Sequence, residues 1–250
     1  RMPWNARAAW LVAERYRLED APLARELALQ YYAAAAKADP SSARYRTALE
    51  ELRGATAREP LLDRALRLDP VAMGAAAAGF AEPVIVLLDE NIFRLYDDGT
   101  VRELKRKWLR INDAENASAE RVQSLFLDTG TDTMDWIDCR VIRDGVSSKV
   151  HRITRTNISD PESRLYYSYD SVSADFGHLN DGDVLLFEYA VTRKGTPGYE
   201  GYFGRRVYFD REQRLVRGRS LVIAPKGRSI ATKVYMASEK ISRTVEGDLA

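Results

Sequence analysis

The hydrophobic period of the chain changes at Pro83, and this switch decides what each part can fold into. Before it, alanine, leucine and arginine dominate and β-branched residues are scarce, which is a composition of strong helix formers. Apolar residues recur there at helical spacing, as in Leu23, Leu27, Tyr31 and Ala34. Asp39-Pro40 and Asp69-Pro70 each follow such a run, where proline lacks the N–H a helix needs and stops it. Ser41 and Ser42 then offer an N-cap for the next helix. The pattern predicts helices over residues 4–17, 22–38, 41–54 and 57–68 and a short one over 71–80, forming an arm over 1–80.

After Pro83 the period is two. Val84 to Leu88 is a solid apolar run, and Ile92 to Tyr96 continues it. Asp97-Asp98-Gly99-Thr100 is a hairpin turn, because glycine after aspartate tolerates positive φ. Val101 to Ile111 is the return strand. A second turn, Arg143-Asp144-Gly145, is expected to join Trp136–Ile142 to Val150–Ile153. Val184 to Val191 reads as a central strand, and Tyr202–Phe209, Leu215–Ile223 and Ile230–Tyr235 complete the set. Residues 118–125 fit a short helix or a strand equally well. The expected fold is α+β as a chain: helical hairpins, then an all-β antiparallel sandwich or strongly bent sheet over 83–250. Gly79 and Pro83 at the alanine-rich junction allow a hinge or a tight corner.

The charge balance narrows the function. Lysine plus arginine number 38 against 37 acids, a net charge of +1, which gives no general attraction to nucleic acid or anionic membrane. No run approaches the ~20 apolar residues of a membrane-spanning helix. The one cysteine excludes an intrachain disulfide. The chain opens on Arg1, so a leader or an upstream segment is an expectation consistent with it. Ser242 to Ala250 reads as a strand just starting, as if the β domain continued.

Few residues could carry chemistry. Cys139 is the only thiol, and His151 and His178 are the only imidazoles. Nucleophilic catalysis needs a thiolate, a base within reach and a group that orients the base. Cys139 stands in mid-strand, whereas reactive thiols favour helix N-termini; the 136–153 hairpin could still bring His151 close. Three cysteine and histidine residues are too few for a structural zinc site. Asp181-Gly182-Asp183 could touch calcium but lacks EF-hand spacing. Gly195, Gly198, Gly201 and Gly204 are followed by no Lys-Ser/Thr and make no phosphate loop. Asp132, Asp135, Asp138 and Glu188 supply carboxylate pairs, but a glycosidase needs two across a cleft. Arg102, Lys105, Arg106, Lys107 and Arg110, with Arg205-Arg206, read as solvated strand faces. No catalytic residue, cofactor or metal is expected. The candidate binding surface is aromatic: Tyr166, Tyr167, Tyr169, Tyr199, Tyr202 and Phe203, beside glycines. A cross-strand aromatic ladder within the sheet would account for the same residues.

Two resemblances add to this reading. In the arm, Ala28, Tyr32, Ala35 and Pro40 fall at the spacing of the second helix of a tetratricopeptide repeat, and Leu62, Ala65 and Pro70 repeat its end. The two prolines stand 30 residues apart, and the first-helix signature is out of register, so a generic array of helical hairpins is the alternative. In the β region, Leu95-Tyr96-Asp97-Asp98-Gly99-Thr100, Asn180-Asp181-Gly182-Asp183-Val184 with Phe187-Glu188-Tyr189, and Tyr202-Phe203-Gly204 with Tyr208-Phe209 and Leu221-Val222-Ile223-Ala224-Pro225 resemble the DUF3857 family. That family usually precedes a transglutaminase-like domain in bacterial envelope proteins. The resemblance implies an accessory, non-catalytic recognition or scaffolding module, in the periplasm or cell envelope. Its partner would be a protein, either its own downstream domain or another envelope protein. Nothing here matches the catalytic motifs of the downstream domain. Two alternatives stay open: a carbohydrate-binding sandwich using the tyrosines, and a cryptic cysteine-dependent hydrolase built on Cys139 and His151.

Overall fold

The structure is a computed structural model that describes residues 3–17, 22–39, 42, 45, 48–49, 61–96, 99–158, 169–194, 202–208, 212–225 and 227–233. Helices α1 (Pro3–Arg17) and α2 (Pro22–Ala38) form a hairpin. Their shared core is Ala13 from α1 with Ala28 and Tyr32 from α2. Small alanines let the helices approach while Tyr32 fills the gap, and its hydroxyl donates to Glu14 at 2.6 Å. Ala24, Ala28, Tyr32 and Ala35 are the buried stripe of α2, so the repeat-like positions are the ones that pack; Tyr31 lies outward. The helix expected over 41–54 lies mostly outside the described residues; positions 45, 48 and 49 are helical, and Ala48 and Leu49 join this core.

The stretch expected as a helix over 57–68 is different where it is described. A 3-10 turn, Leu61–Arg64, runs into an extended segment that reaches a short helix, α3 (Pro70–Ala76). Asp69 caps α3, its carboxylate accepting from Val71 N at 2.9 Å. The reason residues 65–69 are not helical lies in what grips their backbone, described below.

Nine strands follow among the described residues: β1 (Val84–Leu95), β2 (Val101–Ile111), β3 (Val122–Asp128), β4 (Asp132–Arg143), β5 (Val146–Lys149), β6 (Arg152–Asn157), β7 (Tyr169–Asp175), β8 (Val184–Arg193) and β9 (Arg214–Ile223). Six form a large sheet in the order β5-β4-β8-β2-β1-β9, and three form a small sheet in the order β3-β7-β6. All pairs are antiparallel except β1 with β9, which is parallel. The expected sandwich is therefore present as two unequal sheets in an α+β chain. The two apolar runs, 84–88 and 92–96 up to Leu95, belong to one strand that passes through Asp89-Glu90-Asn91. The turn at 143–145 is a tight two-residue one, with Asp144 at φ 51° and Gly145 at φ 76°, but it joins β4 to β5; the chain then crosses to β6 in the other sheet. Residues 118–125 are both alternatives in turn, a 3-10 turn (Ser118–Arg121) leading into β3. No strand forms at 202–208 or 230–233; Phe209, Tyr235 and the residues around them lie outside the described residues.

Both faces of the large sheet are covered, and this sets its residue pattern. Val86, Leu109, Ile111, Leu185 and Phe187 meet Leu125, Leu127, Val172 and Ala174 of the small sheet. On the opposite face Leu87, Leu88, Trp108 and Leu186 meet Leu66, Leu68, Met73 and Ala77 of the segment before β1. A register shift between Val86 and Leu88 puts the successive residues Leu87 and Leu88 into that second core. Gly74 of α3 sits so close to β8 that an added Cβ would lie 2.7 Å from Val184 Cγ2.

Candidate functional site

The centre of the large sheet is charged. On the face toward residues 61–77, Arg106 of β2 lies between two acids of its neighbours, Glu90 of β1 and Glu188 of β8. Its Nη1 donates to Glu90 Oε2 at 2.8 Å and its Nε to Glu188 Oε1 at 3.1 Å. Trp108 Nε1 also donates to Glu188, and Arg219 of β9 pairs with Glu90 at 3.1 Å. Glu90 is fully buried and Glu188 and Arg106 nearly so. The cluster balances two acids against two guanidiniums, which is what makes burial tolerable.

These charges also hold main chain. Leu66 N donates to both oxygens of Glu90 at 3.1 and 3.2 Å, and Leu66 O accepts from Arg106 Nη1 at 2.9 Å. Arg219 donates to the carbonyl of Arg64. Residues 64–68 thus form a strap that the sheet holds by the backbone of Arg64 and Leu66, while Leu61, Leu66 and Leu68 fill the apolar ground on either side. A second group, Asp89, Asn91 and Lys105, lies on the face toward the small sheet: Lys105 pairs with Asp89 and donates to Asn91 Oδ1 at 2.9 Å. The basic cluster expected on a solvated strand face is therefore a correction. Arg102 and Arg106 are buried and Lys105, Lys107 and Arg110 half-buried, because both sheet faces are covered and acids stand opposite.

The Asp181-Gly182-Asp183 loop is a clamp. Gly182 takes φ 92° so that its N–H reaches Ile111 O at 2.7 Å. The buried Asp183 carboxylate accepts from Arg143 Nε and Nη2, both at 2.8 Å, and from Asn180 N at 2.8 Å. This ties the β4–β5 turn to the start of β8, with both carboxylate oxygens engaged in hydrogen bonds. Among the described residues no three histidine, cysteine or acidic side chains gather as a metal site.

Cys139 and the histidines are not assembled. Cys139, in β4 opposite Phe187, packs against the core between the sheets, where burial pushes its thiol up to about 12. His151 and His178 line a shallow open cleft of about 540 Å³ with Val141, Arg143, Lys149 and Phe176, and Cys139 is not among its walls. The alternative that the hairpin brings His151 to Cys139 finds no contact: β4 pairs with 146–149, Val150 N donates to Cys139 O at 3.1 Å, and the exposed His151 begins the crossover to the small sheet. Of the carboxylates, Glu188 is consumed by Arg106 and Trp108, Asp138 pairs with Arg140, and Asp132 pairs with Arg193.

The aromatic candidates divide. Tyr169 opens β7 and is exposed, and Tyr202 is 73% exposed. Phe203 is half-buried and packs edge-on against Phe93 at 5.8 Å, closing one end of the core. Tyr166, Tyr167 and Tyr199 lie outside the described residues. The aromatic cluster that the fold does assemble is internal: Trp136, Phe187 and Tyr189 meet edge-to-face at 5.2–6.5 Å across β4 and β8.

The fold is thus a two-sheet α+β module with a helical lead-in, its charges paired across the strands. Residues 97–249 match the family model of a "Domain of Unknown Function with solved-structure structure (DUF3857)". That match covers more than half of the chain, and the chain belongs to this family. The strap and β1 stand upstream of the matched region. A crystal structure of a "putative protease" from Parabacteroides distasonis shares the fold, with a TM-score of 0.53 at 12% identity. The similarity covers 59% of this chain and 30% of that one, so the chain spans less than a third of that protein's length. Among curated proteins none matches. No helix among the described residues is long and apolar enough to cross a membrane.

Proposed function

We propose that this chain is a non-catalytic scaffolding and recognition module of a bacterial cell-envelope protein, acting beside a transglutaminase-like domain through protein–protein contacts. The observation that carries this reading is the strap. Three charged side chains, Glu90, Arg106 and Arg219, grip its backbone, so the chain enters the β domain through a fixed segment. Such a joint transmits position between the two parts and offers no reacting group. The arm supplies the protein-binding surface typical of stacked helical hairpins. The high pKa of Cys139 supports an accessory role, since a protonated, packed thiol is a poor nucleophile.

The test has two arms. The purified chain is titrated by calorimetry with the region that follows it in its full-length protein; saturable binding is expected. In parallel the chain is assayed for hydrolysis and transamidation of glutamine peptides. Activity that disappears in Cys139→Ala overturns the reading in favour of a cysteine-dependent enzyme.

A further inference from the structure

The outer face of the small sheet has a composition that the core does not explain. Along β3, Gln123, Leu125 and Leu127 point inward, and Val122, Ser124, Phe126 and Asp128 point outward. The register sets Ser124 beside Ser173 and Phe126 beside Ser171 on β7; Ser173 in turn faces Thr154, and Ser171 faces Thr156, on β6. Two complete cross-strand rows therefore carry five hydroxyls and one phenyl ring. Ser124 and Ser173 already share a hydrogen bond of 2.8 Å at the surface. The next row brings the exposed Tyr169, a diagonal neighbour of Phe126 with Cβ atoms about 7–8 Å apart. Phe126 is 65% exposed, far more than a ring kept for the core.

We infer that this face is a binding platform for a neutral oligosaccharide. Aromatic rings stack on the C–H faces of sugars, and the neighbouring hydroxyls give and accept hydrogen bonds with the sugar edges. The distribution of charge selects that ligand over others. The central rows hold no charged side chain. Asp175, with Arg121 at 3.4 Å, and Arg152 stand at one end, and Asp128 stands at the other. A nucleic acid or an anionic polymer would need cations between the rings, and the exposed apolar groups of this face, Val122, Phe126, Tyr169 and Ile158, are interrupted by Ser124, Ser171 and Ser173 and do not make the continuous apolar centre a protein partner would need. This platform lies on the side of the molecule away from the strap and does not depend on the scaffolding reading.

The experiment titrates the full chain with chitohexaose, cellohexaose and xylohexaose by calorimetry. Saturable binding of at least one is expected. Phe126→Ala and Tyr169→Ala should each weaken it about tenfold, while Phe126→Tyr retains it. Val146→Ala, at an exposed apolar position on β5, should leave it unchanged. No saturable heat with any of the three sugars, or unaltered binding by Phe126→Ala, overturns the inference; neither result bears on whether the chain scaffolds a protein partner.

Discussion

Replacing Glu90 by alanine removes the centre of the charge cluster under the strap. The carboxylate receives Arg106 at 2.8 Å, lies 3.1 Å from Arg219, and holds the Leu66 N–H through both oxygens. Without it the cluster keeps two guanidiniums and one acid, leaving a buried positive charge uncompensated. Removing one partner of a buried ion pair costs about 3–5 kcal/mol. The orphaned Leu66 N–H falls within that range, since the strap can open to water. In a chain of 250 residues, each kcal/mol lowers the melting temperature by about 2–4 °C, so a loss of about 6–20 °C is expected. Urea denaturation followed by fluorescence gives the free energy directly, with Trp108 as a reporter because its indole donates into the same cluster. Removing all of the charges together should be milder. Glu90→Leu with Arg106→Met, Glu188→Leu and Arg219→Met should recover most of the loss, because apolar replacement of a whole buried cluster is close to neutral. The argument fails if Glu90→Ala costs under about 1 kcal/mol, the range of an exposed pair, or if the quadruple variant is no more stable than the single one.

Two further outcomes follow from the structure. Asp183→Ala should destabilise the β domain by about 2–4 kcal/mol, read by urea denaturation, since it strands the Asn180 N–H and half-exposed Arg143 at the clamp; Asp183→Asn should cost less because it keeps an acceptor. Iodoacetamide at pH 8 should leave Cys139 unmodified in the native chain and alkylate it after unfolding, monitored by mass spectrometry. The same thiol has a linkage consequence: its folded pKa of about 12 lies above its ordinary value of 9. The unfolded thiol therefore ionises first, so its contribution to stability is whole below pH 9 and declines as pH rises toward 12.

How much of this was readable in the letters depends on range. The β1–β2 hairpin, the turn at 144–145, β8 and β9 follow from period and turn chemistry, which are local. In the small sheet, β7 escaped notice because Tyr-Asp-Ser-Val-Ser-Ala-Asp shows only Val172 and Ala174 to the core. A strand with so little apolar content reads as loop. The parallel β1–β9 pairing joins residues more than 120 positions apart, and no local pattern encodes it. The buried charges were misread for a related reason. Arg106 alone looks solvated, and only its register against Glu90 and Glu188 shows otherwise. A signal was present, though: three polar residues, Asp89-Glu90-Asn91, interrupt an apolar strand that a basic strand follows. The 57–68 run has helical propensity, but tertiary hydrogen bonds at Leu66 outweigh it.

Because the sheet holds the strap by its carbonyls and amides, it reads shape and not side-chain identity at Arg64, and at Leu66 it asks only for something apolar. Such a segment can drift in its letters over evolutionary time while its length cannot change. An inserted or deleted residue between Leu61 and β1 would slide every carbonyl past its guanidinium, whereas many substitutions would go unnoticed. Relatives should therefore keep the count of residues upstream of the hairpin long after they have lost visible similarity there, and comparison by spacing should extend the domain where comparison by identity stops, at residue 97.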